Sequence, residues 1–225
     1  MYIVLDIVKE MFLILILIPI ILLGYIFPLT KINKNSSSNK QIVFVCGWFN
    51  NNLLYFFLKK HLEKQGYQVH MTNFGLLTGD ITKYSQRLAD FFDEQRLERT
   101  VLIGASLGGV IGLYFLQELN GWKKIDKFIG ICSPFAGFPV ARMFSFLKAG
   151  RQISPNSKFL KSLFSKKIMN EEKILCISSK YDNIVPKSSA TIMGARNEVL
   201  KIFGHTNLLA FSSQVYKLIT DYLSL

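Results

Sequence analysis

Ser106 lies in GASLGG, residues 104–109, where an apolar run gives way to a helical pattern. A serine hydroxyl is a weak nucleophile unless a base within hydrogen-bond reach takes its proton, and that base needs a third group to fix its tautomer and orientation. Of the three histidines, His61 and His70 fall within an early helix and strand. His205, in FGHTNLL, stands on a turn between a strand-like run and the last helical pattern. A carboxylate is offered by Asp182 in SSKYDNIVP, just beyond another strand-like run. Each of the three also has a purely structural use: Ser106 as a small residue in a tight corner, Asp182 as a turn former or helix cap, His205 as a turn residue. Their chain order, with each following a strand, favours nucleophile, orienting acid and base.

The neighbouring residues fit that chemistry. Gly104 and Gly108 would let a strand and a helix approach closely around a strained Ser106. The amide of Leu107, first in the following helix, can hold a developing oxyanion. A second donor is expected from CGWFNN after the first strand, with the Trp48 amide ahead of that of Phe49. No metal or organic cofactor is required.

These residues must be positioned by a scaffold, and the chain supplies one. Strand-like runs at 42–46, 67–74, 100–105, 127–132, 174–179 and 199–203 alternate with helical patterns at 51–65, 80–97, 107–119 and 206–223. Apolar rather than alternating strands, separated by helices, predict an α/β fold with a mostly parallel sheet and helices on both faces. In such sheets the ligand crevice lies beyond the carboxyl ends of the strands, where Ser106 falls. With 225 residues, half of them apolar, one domain with a sizeable core is expected. Cys46, Cys132 and Cys176 are odd in number and lie in strand-like runs, which argues against a disulfide framework; without the paired spacing of a zinc site, burial in the core is their expected role.

Over residues 41–223 the chain resembles the α/β-hydrolase superfamily, and within it the bacterial triacylglycerol lipases and esterases. VFVCGWFNN resembles the oxyanion loop, GASLGG the nucleophile elbow, CSPFAGFP the segment after the next strand, and YDNIVP the acid turn. GARNEVLKIFGHTNLLAFSSQVYKLI resembles the histidine region, and ISPNSKFLKSL an element before the acid strand. The resemblance implies a carboxylic ester hydrolase acting on esters or lipids through Ser106, His205 and Asp182. The same residues suit acyl transfer to another acceptor or thioester cleavage, and a silent binding module would keep the same fold. The family often places histidine where this chain has Cys46 and Ala105, which bears on oxyanion geometry and substrate range.

Two further features concern membranes. Residues 11–30 carry no charge and as a helix would span about 30 Å, the thickness of a bilayer core. A retained anchor over residues 1–30 is expected rather than a cleaved signal peptide, because Asp6 and Glu10 precede the run and no small-x-small site follows. A polar tether occupies residues 31–40, and Lys31, Lys34 and Lys40 after the span favour a cytoplasmic main domain over 41–225. Between residues 127 and 170 there are eight Lys/Arg and no Asp/Glu, a large part of the net charge of +12. Within a small cap-like segment at 134–170, a helix over 158–168 would bury Phe159, Leu160, Leu163, Phe164 and Ile168 and turn Lys158, Lys161, Lys166 and Lys167 outward. That basic face suits either solvent or anionic lipid. No nucleic-acid-binding motif accompanies it.

Overall fold

Apolar runs without polar alternation belong in a sheet covered on both sides, and the chain builds one. The computed structural model describes residues 15–19, 22–24 and 40–225. Strands β1 (Gln41–Val45), β2 (Gln68–Met71), β3 (Thr100–Ala105), β4 (Ile125–Ile131), β5 (Ile174–Tyr181) and β6 (Arg196–Phe203) form a single sheet in the order β2-β1-β3-β4-β5-β6. All five pairings are parallel. Residues alternate between faces: Val43 and Val45 of β1 join one core, Ile42 and Phe44 the other. The edge strand β6 is the least buried and places Arg196, Glu198 and Lys201 along its length, a charged edge that discourages further pairing.

Helices α1 (Phe56–Lys64), α6 (His205–Phe211) and α7 (Ser213–Leu223) cover one face, while α2 (Ile81–Glu94), α3 (Leu107–Glu118) and α5 (Lys158–Leu163) pack into the core on the other. The short α4 (Lys148–Gln152) lies between β4 and α5 in the chain. In α2 the buried positions Ile81, Ser85, Leu88 and Phe92 recur at helical spacing. The central α3 lies between α2 and the sheet and is therefore apolar nearly all round.

The structure differs from the sequence expectations where side chains compete for the backbone. The closing helix is broken at Ser212, whose hydroxyl accepts the Val215 amide at 3.2 Å and starts α7 as a separate helix. The expected helix over 51–65 opens as a 3-10 turn, Asn52–Tyr55, because the Asn51 side chain accepts the Leu53 amide. The helix expected over 158–168 stops at Leu163, although Ile168 remains buried. Strands β4 and β6 begin earlier than expected, at Ile125 and Arg196. Most of the expected membrane span at 11–30 lies outside the described residues. Its described stretches, 15–19 and 22–24, are helical, and Leu17 is buried against the core that includes Leu54 and Leu58. No helix among the described residues is long and apolar enough to cross a membrane.

Asp80 ties the start of α2 to α4. Its carboxylate caps Thr82, pairs with Lys148 at 2.6 Å and accepts from Gln152 at 2.8 Å. Burial alone would raise this carboxyl, but the Lys148 ammonium, Gln152 and Thr82 outweigh it and hold it at about 2, against 3.8 in an isolated side chain. A group so depressed stabilises the fold fully above its unfolded value, and the contribution is lost as pH falls through about 2. Urea midpoints measured from neutral pH down to pH 2 should therefore decline more steeply in the wild type than in Asp80→Asn, which keeps a capping oxygen and loses the charge.

Candidate active site

From β1 the chain crosses outward to β2 and then returns to place β3 on the other side of β1, so the crevice of the sheet opens at the carboxyl ends of β1 and β3. Ser106 follows β3 directly. Its backbone is held at φ 50°, ψ −121°, a region costly for a residue with a side chain. Two contacts enforce this. The Ser106 amide donates to the Ile131 carbonyl at the end of β4, at 2.8 Å. A Cβ at Gly104 would lie 2.4 Å from the Gly109 Cα, and one at Gly108 would lie 2.2 Å from the Val45 carbonyl oxygen. Both obstacles are backbone, so strand and helix come this close only with glycine at both positions. The Ser106 hydroxyl does not cap α3. It faces a cavity of about 440 Å³ whose walls also include Leu107, Trp48, Phe49 and His205.

His205 begins α6 after Gly204, whose φ of 86° makes the sharp exit from β6. Its Nδ1 lies 2.8 Å from Asp182 Oδ2, with both side chains almost wholly buried. The other carboxylate oxygen, Oδ1, accepts the amides of Ile184 and Val185, each at 2.8 Å. Burial pushes the Asp182 carboxyl up, yet the His205 charge, its hydrogen bond and these two amides together bring it below the ordinary value. Asp182 therefore stays ionised and holds the imidazole by its Nδ1 side, while His205 itself lines the cavity. Asn183 completes the pairing by accepting the His205 amide at 3.0 Å.

In the loop after β1 the Phe49 amide donates to the Leu76 carbonyl at 3.3 Å, while the amides of Trp48 and Leu107 make no hydrogen bond among the described residues. The Trp48 ring stacks on Phe49 at 4.8 Å and meets the edge of Phe144 at 5.3 Å. The Tyr55 hydroxyl, buried beneath the loop, accepts from the Gly47 amide at 3.4 Å.

The structure thus gathers Ser106, Leu107, Trp48 and His205 on one cavity and sets Asp182 behind His205. No residue from 158–167 lines the cavity. Sequence reading missed Asn183, although it adjoins Asp182, and missed the far wall made by Phe138, Val140, Phe144 and Ile153. It also treated Cys132 as packing only. Among the described residues, Cys132, Asp182 and His205 bring one metal-ligand-type atom each to within 4.8 Å of one another. His205 Nδ1 and the Asp182 carboxylate already engage each other, and burial pushes the Cys132 thiol well above its ordinary value, so it stays protonated.

Known proteins share the fold that carries these residues. The family model described as lecithin:cholesterol acyltransferase matches residues 51–196. A Mycoplasma genitalium protein designated esterase/lipase 3 is 28% identical over 123 residues, 52% of this chain. The chain spans about two fifths of that relative's length, 41%. Among solved structures, Bacillus licheniformis lipase BlEst2 in its mature form superposes with TM-score 0.67 at 14% identity, covering 85% of this chain and 95% of the lipase. Aspergillus fumigatus lipase B gives 0.70 at 18% identity, covering 84% of this chain and 53% of that one. An Exiguobacterium antarcticum esterase gives 0.62 at 17% identity, covering 84% and 93%. These structures share the α/β-hydrolase fold with this chain.

The close contact at the elbow is directly testable. Gly104→Ala should cost about 1–3 kcal/mol in urea unfolding, because the new methyl meets backbone that no rotamer change can move. An unchanged midpoint would mean that the elbow relaxes freely.

Proposed function

The chain belongs to the lecithin:cholesterol acyltransferase family, and we propose that it is a membrane-anchored serine hydrolase cleaving carboxylic esters, those of lipids foremost. The observation that carries this reading is the buried Asp182–His205 pair at 2.8 Å, opening on the same cavity as Ser106. The mostly apolar walls of that cavity suit an acyl chain.

In the proposed reaction, Ser106 Oγ attacks the ester carbonyl carbon while His205 Nε2 takes the hydroxyl proton. Asp182 orients the imidazole and stabilises the imidazolium. The amides of Leu107 and Trp48 hold the oxyanion. Collapse of the tetrahedral intermediate breaks the C–O bond, and His205 returns its proton to the departing alcohol. Water, deprotonated by His205, then attacks the acyl-Ser106 ester. The second tetrahedral intermediate collapses by breaking the carbonyl C–Oγ bond, Ser106 Oγ takes the proton back from His205, and the carboxylic acid leaves. The family's description favours a second reading with the same residues, in which an alcohol instead of water accepts the acyl group. Adding a long-chain alcohol during turnover and measuring the new ester against free carboxylate distinguishes the two.

Ser106→Ala and His205→Ala should each lower ester turnover at least about a thousandfold with unchanged circular dichroism, and Asp182→Asn by about 10⁴-fold through the wrong tautomer. Ser106 should take a fluorophosphonate label in the wild type. Full turnover by Ser106→Ala would refute the mechanism, and an unlabelled wild type would support a silent binding module.

Residues 11–30 are proposed to hold the domain at the membrane, their described stretches packed beside the cavity mouth and the lysines that follow keeping the domain on the cytoplasmic side. The full-length protein should then resist both carbonate and high-salt extraction, since apolar burial is not screened by ions. Release by salt alone would assign the attachment to surface charge.

A further inference from the structure

Folded proteins seldom leave several large apolar side chains exposed in one short, well-anchored run. Residues 138–147 do. Phe138 and Ala141 fix the run in the core, and Phe144 packs on Trp48. Between them Val140 is 44% exposed, while Met143 and Phe146 are each 75% exposed. Val140 and Phe144 line the cavity that holds Ser106, so this run is one lip of its mouth. The same cavity is lined by Phe49, itself partly exposed and with its ring 6.4 Å from that of Phe144, and by Ile18 and Leu22 of the apolar N-terminal stretch.

The charges on this lip are of one sign. Arg142 and Arg151 are exposed, and Arg151 donates to the Ser145 carbonyl at 3.1 Å, which ties its guanidinium to the backbone of the lip. Lys148, by contrast, is paired with Asp80. The lysines at 158–167 lack these features. The helix that carries Lys158 and Lys161 has buried Leu160 and Leu163, and beyond it Lys166 lies 3.8 Å from Glu118 and Lys167 3.4 Å from Glu171.

We propose that the lip formed by residues 139–151, not the basic segment at 158–167, is the face with which this protein docks on an anionic lipid surface. Met143 and Phe146 enter the acyl region, and Arg142 and Arg151 meet headgroup phosphates. Burying apolar side chains gives the attachment, and the guanidinium groups give the preference for negative charge. The cavity mouth then opens onto the lipid, and an acyl chain can pass from bilayer to cavity without crossing water. The docking rests on the ester-hydrolase reading only for what enters the cavity. The attachment itself does not depend on it.

The test uses full-length protein with phosphatidylcholine vesicles, with and without phosphatidylserine. Tryptophan introduced by Phe146→Trp should be quenched by brominated phosphatidylcholine beyond the quenching of the parent. The double variant Met143→Ser/Phe146→Ser should lose at least tenfold in turnover of a long-chain ester held in vesicles while keeping wild-type turnover of a short soluble ester. Arg142→Gln/Arg151→Gln should reduce the advantage of anionic over neutral vesicles by up to about thirtyfold, whereas Lys158→Gln/Lys161→Gln should retain it. Absence of extra quenching at position 146, or unaltered vesicle turnover in Met143→Ser/Phe146→Ser, overturns the proposal. So does concentration-dependent dimerisation that this double variant abolishes without any quenching, which would make the lip a contact between copies. A wild type that cleaves no ester would refute the hydrolase reading, while quenching at position 146 would still report the docking.

Discussion

The site depends on how closely three backbone segments approach at the elbow. A side chain at Gly104 would collide with α3, and one at Gly108 with the carbonyl oxygen of Val45 in β1. With both removed, β1, β3 and the start of α3 meet at backbone distance. The loop after β1 and the first amides of α3 then face the same small volume. Ser106 takes a backbone conformation that other residues avoid because the strand behind it and the helix ahead leave no alternative. Sheet topology sets the direction of that strain, since the chain reverses its course across the sheet between β2 and β3.

The Asp182–His205 pair is assembled by a different principle. His205 and Asp182 come from turns after adjacent strands, β6 and β5, and are joined by a hydrogen bond. Removing a carboxylate from water is costly, and three donors offset the cost here: His205 and the amides of Ile184 and Val185. Asn183 bonds the first amide of α6, so the two turns are linked through backbone as well as side chain. A displacement of one turn would break several hydrogen bonds at once, which fixes the position of the imidazole on the cavity wall.

Much of this was legible in the residues. Strand runs such as 42–46 and 100–105 carry their burial in composition, and the chain order of Ser106, Asp182 and His205 points to the carboxyl edge before any coordinates exist. The strand and helix ends were less legible, because they are set by local competition for amides, as Ser212 shows. The far wall of the cavity was illegible for another reason. Residues 138–147 have neither a helical nor a strand period, and their apolar side chains divide between the core and the exterior in a way that only tertiary contact decides. Cys132 was read correctly as buried, but its nearness to Asp182 arises from the alignment of β4 with β5, which one strand's sequence does not encode.

The three cysteines are all reduced and shielded, with thiols that burial keeps protonated. A thiolate is the species that alkylating reagents attack, and here it can form only when the chain opens. The protein therefore carries its own clocks. The rate at which Cys132 is alkylated measures how often the acid turn separates from β4, and the rates at Cys46 and Cys176 time the opening of β1 and β5, with no added dye or spin label.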